Sequence, residues 1–172
     1  MYVDLGLVIL RLVVGGIAMA HGLQKVGYLG GGGPSGTVGV MTHIGVKPQP
    51  FWAAVVTAAE VGGGALILLG ILGPVGPWLI VADMIVAAIT IHWVNGFWNA
   101  KGGIEFPLML GSAALTLGLV GFGGWSIDAM LGLAIPGWIV QGWSGLVILG
   151  VVLALTSRFA GAAESSGAST ST

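Results

Sequence analysis

Residues 5–28 read LGLVILRLVVGGIAMAHGLQKVGY, a run in which only Arg11, His21, Gln24 and Lys25 carry strongly polar side chains. Crossing the hydrocarbon of a bilayer takes about 20 mostly apolar residues, so this stretch predicts a transmembrane helix. Ala18-Met19-Ala20 imitates a signal-peptidase site, but a secretory signal has a positive start and an unbroken apolar core. Here Asp4 stands at the start and Arg11 interrupts the core. The stretch is therefore expected as a mature helix.

Four further stretches share its character: Phe51–Leu72, Pro77–Trp98, Ile104–Phe122 and Trp138–Thr156. Over the 172 residues 56% are apolar and 6% charged, against about 25% charged in a soluble protein, and mean hydropathy is +1.03. So few charges cannot cover a soluble surface. The pattern predicts an all-α, polytopic membrane helical bundle with a four-helix core and a fifth C-terminal transmembrane helix. A membrane barrel would show residue-by-residue alternation instead.

The joins carry glycine and proline, as in Gly73-Pro74, Gly76-Pro77, Gly123-Gly124 and Pro136-Gly137. Residues 29–50 begin with Gly30–Gly33, expected as a flexible linker because no strand precedes it and no Gly-Lys-Ser/Thr follows. Within them, Thr37–Val46 is expected as a short interfacial helix. The organisation expected is a four-helix domain over 1–131, an added helix over 132–158 and a disordered tail over 159–172. Lys25, Lys47, Lys101 and Arg158 fall on one side of five spans, which places the N-terminus outside and the C-terminus in the cytoplasm of a cell-membrane protein. There is no cysteine, which excludes disulfides, thiol catalysis and cysteine-ligated clusters. The scattered cations form no basic stripe, so the expected partner is the lipid bilayer and not nucleic acid.

Charge inside a bilayer is costly, so every intramembrane ionisable group should face the bundle interior and find a partner. Counted at about 1.5 Å per residue from the end that carries the cations, His21, Glu60 and His92 stand about 9–13 Å deep on three helices. They are candidates for one catalytic site. Lys25, one turn from His21, forms a shallower layer with Asn95, Lys101 and Glu105. Lys25, Asn95 and Glu105 are candidate ligand-binding residues, with Trp93 beside His92 as a possible pocket wall for a ring-shaped ligand. Arg11 and Asp83 both count as about 22–25 Å deep, which predicts a structural ion pair. Trp78, Trp98, Trp125, Trp138 and Trp143 lie near span ends, as interface anchors do.

At these residues the chain resembles the DoxX family, which includes the DoxD-type subunit of archaeal thiosulfate:quinone oxidoreductase. The resemblance rests on Arg11, His21-Gly22-Leu23-Gln24-Lys25, Glu60, and His92 with Asn95-Gly96-Phe97. Gly102-Gly103-Ile104-Glu105-Phe106-Pro107 and Ser126-Ile127-Asp128 complete it, over about residues 4–131. It implies a small four-helix membrane protein linked to quinone-dependent oxidation, to quinone or thiol stress, or to redox complexes. The fifth helix departs from that pattern, and its apolar surface suggests packing against another subunit.

Three kinds of function fit these residues. The leading one is the membrane subunit of a quinone-linked oxidoreductase. In it His21 and His92 exchange protons with quinone oxygens, Glu60 relays protons, and Lys25 and Asn95 stabilise charge. A partner, either another membrane subunit or a soluble redox protein, supplies the electrons. A haem held by two histidines, or a metal on two histidines and Glu60, is disfavoured because cationic Lys25 lies one turn from His21. The third is a non-catalytic membrane scaffold or assembly subunit. A permease is disfavoured, since no internal repeat is visible and Gly62-Gly63-Gly64 is the one candidate helix break.

Overall fold

Glycine decides how closely the first helices meet. The computed structural model describes residues 1–169, with side chains to Arg158. In it α1 (Tyr2–Lys25) lies against α3 (Gln49–Leu69) along a stripe of Arg11, Val14, Gly15, Ala18 and Gly22. A Cβ at Gly15 would stand 2.8 Å from the Gly64 carbonyl oxygen, and one at Gly22 2.7 Å from the Val61 nitrogen. A Cβ at Gly76 would meet the Gly63 carbonyl at 2.8 Å, so the α3–α4 contact is equally close. Lipid gives helices no hydrophobic reason to associate, so small residues that admit backbone contact supply the packing. Gly62-Gly63-Gly64 therefore belongs to an unbroken helix, in which Gly63 and Gly64 serve its contacts.

The chain then runs through α4 (Val75–Ala87), α5 (Glu105–Val120), α6 (Ile127–Leu131) and α7 (Gly137–Ser169), with α2 (Gly33–His43) between α1 and α3. No β-strand occurs among the described residues. Tyr2–Lys25, Gln49–Leu69, Val75–Asn95 and Gly137–Arg158 are long and apolar enough to cross a membrane. The remaining expected span, Ile104–Phe122, is α5, a shorter apolar helix packed on α4. Its 16 residues extend about 24 Å, less than the roughly 30 Å hydrocarbon. The core joins α1, α3, α4 and α5 through Val14, Ile67, Ile80, Ala114 and Leu117.

Two expectations about connections change. The glycine run is a tight folded turn and not a flexible linker: Gly30 and Gly33 take positive φ, and a Cβ at Gly31 would collide with the Gln24 backbone. Its interfacial helix begins at Gly33, four residues before the expected start, and Met41, Ile44 and Val46 seat it on Ala53. The tail expected from residue 159 falls largely outside the described side chains, although α7 runs as helical backbone to Ser169.

Arg11 does not pair with Asp83. Its guanidinium donates to the carbonyls of Ile67 (3.1 Å) and Leu68 (2.9 Å) at the end of α3, and of Phe122 (3.4 Å) and Trp125 (2.8 Å) in the α5–α6 connection. A helix C-terminus leaves carbonyls without intrahelical partners and carries partial negative charge, which a forked cation satisfies without any carboxylate. Nearby, Asp128 accepts from the Leu72 and Gly73 amides at 2.9 and 2.7 Å, and Ser126 caps α6 through the Ala129 amide. Counting depth gave one coordinate, and the two side chains leave their helices toward different neighbours.

Arg11→Ala is expected to lower stability by about 3 kcal/mol or more, the loss of several bonds to a charged donor. Combining it with Asp83→Asn should give additive losses within about 0.5 kcal/mol, since the residues share no contact. Thermal unfolding of the four proteins of this cycle in detergent checks both statements.

Candidate functional site

Helical spacing places His21 and Lys25 one turn apart on α1, while Glu60 belongs to the buried α3 stripe with Gly63, Gly64 and Ile67. Lys25 and Glu60 form an ion pair, with the lysine side chain 23% and the glutamate 4% exposed. Asp83 of α4 is half-buried, and its Oδ2 is enclosed with no hydrogen-bond partner. Its carboxyl stands beside Glu60 and within electrostatic reach of Lys25. One ammonium thus faces two carboxyl groups, and the three are neutral together only when a proton is held between the acids.

His92 reaches the same place through a local departure from α-helix. At about 100° per residue, nine residues turn through a whole number of turns plus a half, so a regular helix would aim His92 away from Asp83. Over Ala88–His92 the helix widens to a π-turn, a deformation that occurs often at functional sites. The wider turn rotates less per residue, and Asp83, Thr90 and His92 all line one cavity. The His92 Nδ1–H donates to the Gly102 carbonyl at 2.6 Å. His21 stacks on Phe106 of α5, ring centroids 5.5 Å apart.

The cavity measures about 1070 Å³. His21, Lys25, Glu60, Asp83 and His92 form its polar part, and Val55, Val56 and Ala59 of α3 line its apolar flank. The opposite wall is α7, through Leu146, Val147, Gly150, Val151 and Ala154. That helix packs on α4, where the Trp143 indole donates to the Val75 carbonyl at 3.3 Å. At its far end Arg158 donates to the Ile44 carbonyl at 2.8 Å. The fifth helix, expected as a surface for another subunit, thus turns one face onto its own chain and closes the cavity.

The remaining candidates lie around the site and not in it. Trp93 is 68% exposed and points away from the cavity lining. Asn95 Nδ2 donates to the Gly102 carbonyl at 3.2 Å, and Glu105 accepts from the Asn99 amide at 2.8 Å. Both shape the α4–α5 turn that presents the carbonyl holding His92. Trp143, expected as an interface anchor, lines the cavity. Among the described residues no three His, Asp or Glu side chains converge as a metal site requires. Asp83 and Thr90 were not expected in the site, although their spacing of seven marks one helix face. Leu146, Gly150 and Ala154, each four apart, carry the same signal in α7.

Fold and site together define a polytopic membrane protein with a large internal cavity and a charged interior group. The DoxX family model matches residues 6–93, and the chain belongs to the DoxX family. It is 29% identical over 132 residues to the uncharacterized membrane protein Rv3486 of Mycobacterium tuberculosis, covering 71% of this chain and 78% of that one. It is 30% identical over 118 residues to a Bacillus subtilis protein named "Putative oxidoreductase CatD", covering 69% and 81% respectively. No solved structure matches it.

Lys25→Met should destabilise the protein by about 3 kcal/mol, because it leaves Glu60 buried without its cation. Adding Glu60→Gln should restore most of that loss. Melting of both variants in detergent distinguishes this from independent contributions, for which the second substitution restores nothing.

Proposed function

We propose that this chain is the membrane subunit of a quinone-linked oxidoreductase, holding the quinone and exchanging its protons while a partner protein carries the electrons. One observation carries the reading: the cavity joins a long apolar trough between α3 and α7 to a compact polar end with five titratable side chains. An amphiphile with an apolar tail and a small polar ring fits that division. The name of the Bacillus subtilis relative agrees with a redox role.

A quinone takes up two electrons and two protons to become a hydroquinone. The carboxyls of Glu60 and Asp83 with the imidazoles of His21 and His92 are groups that hold and pass such protons. Lys25 keeps Glu60 in place and balances charge at the ring. The chain has no cysteine, so no cysteine-ligated cluster of its own can supply electrons, and a redox subunit must meet it. Lys25, Lys47 and Arg158 gather at the same end of the bundle as the polar group, joined there by bonds such as Lys47 N–H to Ser157 Oγ at 3.3 Å. The positive-inside rule assigns that end to the cytoplasm, where a soluble partner docks.

A scaffold role draws support from the outer face of α7, where Ile148, Leu149 and Val152 are exposed and apolar. The two readings part on one result. His92→Ala and Glu60→Gln should each abolish quinone-dependent turnover of the assembled complex while the protein still inserts in membranes. Unchanged turnover in both variants removes the catalytic reading and leaves the scaffold.

The trough makes a second claim. A Cβ at Gly150 would meet no atom within 4 Å, so Gly150→Leu should fold normally and fill the tail space. Long-tailed quinone is expected to bind at least about tenfold more weakly, the loss of one good apolar contact region, with melting temperature unchanged. Calorimetric titration in nanodiscs measures it.

A further inference from the structure

The bundle is solid in one half and hollow in the other. Between the acids and the end where α1 begins, Val14, Ile67, Ile80, Ala114 and Leu117 are wholly buried, and none of them borders the cavity. The backbones of α1, α3 and α4 touch there through Gly15, Gly63, Gly64 and Gly76. Arg11 ties the end of α3 to the α5–α6 connection, and Asp128 holds the Leu72 and Gly73 amides. Beside α7 the cavity ends on Leu79, Trp143 and Leu146, and the Trp143 N–H is taken by the Val75 carbonyl.

Toward the other end the lining turns polar and bare. Beyond His21, Lys25 and His92 it continues to the side-chain amides of Gln24 and Asn99 and to Gly30, Gly31 and Gly32. Gln24, Gly30, Gly32 and Asn99 are exposed, and a Cβ at Gly30 or Gly36 would meet no atom within 4 Å. The groups in the cavity that carry protons are His21 and Lys25 from α1, Glu60 from α3, and Asp83 and His92 from α4 and its π-turn. Among the described residues α2, α5 and α7 add no titratable side chain to the lining.

Distance alone would favour the solid end. Asp83 stands about 12 Å along the helix from Val75 and about 18 Å from Asn95. Packing reverses that order. A proton does not cross dry apolar contacts, whereas carboxyls, imidazoles and water pass it on where there is room and there are polar partners.

We infer that Glu60 and Asp83 exchange protons with one aqueous phase only, through a hydrated mouth between the glycine turn at 30–32 and Asn99, at the cation-bearing end of the bundle. The opening is a half-channel, closed beyond Asp83 by the glycine-packed plug, and it serves whatever ligand the cavity takes. One consequence rests on the quinone reading above. Each reduction draws its two protons from the side on which the partner brings two electrons, so turnover carries no net charge across the membrane.

The chain has no cysteine, so a single introduced thiol reports without background. Asn99→Cys, labelled by a membrane-impermeant maleimide from one side of sealed proteoliposomes, identifies the side of the mouth. Ala82→Cys, next to Asp83 on the cavity wall, is then alkylated with N-ethylmaleimide, which crosses lipid, while pH is set separately on the two sides. The thiolate is the species that reacts, so the rate follows the pH of the phase with which the thiol shares protons. Raising the pH on the Asn99 side from about 6 to about 7, below the ordinary thiol pKa of about 8.5, should speed alkylation about tenfold. The same change on the other side should alter it less than about twofold. Thr90→Cys, on the same wall nearer the mouth, should behave alike and decides the matter where Ala82→Cys does not fold. A rate that follows the other side, both sides or neither overturns the half-channel, as does a thiol that is labelled only after denaturation. None of these results touches the quinone reading, which stands or falls on the turnover of the His92 and Glu60 variants.

Discussion

Two cations ride on the first helix, and the bilayer's refusal to solvate charge is met differently at each. Arg11 is surrounded by carbonyl oxygens, four backbone groups from α3 and the α5–α6 connection. Lys25 is met by a carboxylate from α3, with a second acid beside it. The first arrangement has no proton to move: guanidinium and peptide carbonyls do not titrate in any accessible range. The second consists of groups that gain and lose protons. The middle of α1 therefore fastens the bundle, and its C-terminal end, four turns away, carries a group paired with acids.

This division explains why the close glycine contacts matter beyond packing. Gly15 and Gly22 flank Ala18 on the stripe between the two cations, and each admits backbone of α3 at a distance no side chain allows. Because α1 and α3 meet so tightly, the position of Glu60 relative to Lys25 is set by rigid backbone and not by long flexible side chains. A charge pair fixed in this way loses little entropy when formed, and the desolvation of both groups is offset by contact that does not fluctuate.

Much of the fold was legible because spans are written in composition, and composition is one-dimensional. The apolar stretches lie within a few residues of the spans Tyr2–Lys25, Gln49–Leu69, Val75–Asn95 and Gly137–Arg158 and of α5, and His21, Glu60 and His92 line one cavity. What failed needed rotation about the helix axis. Arg11 and Asp83 looked like partners by depth alone. The π-turn at Ala88–His92 leaves no mark in Ala-Ile-Thr-Ile-His that distinguishes it from regular helix, yet it decides which way His92 looks. The closing role of α7 was hidden for a related reason. An apolar helix reads the same whether its neighbour is lipid, another subunit or the hollow of its own chain, and only the small residues Gly150 and Ala154 hinted at the last.

The wall that α7 provides also bears on what the site can hold. A four-helix bundle alone would leave the trough beside Val55, Val56 and Ala59 open to lipid along its length, and any tail lying there would exchange freely with the membrane. With α7 anchored on α4 at Trp143 and on the α2–α3 corner at Arg158, the trough is walled on two sides. Asp83 and His92 line the polar end of the same cavity. The fifth helix thus converts a groove that any lipid chain could wet into a trough walled by protein on two sides.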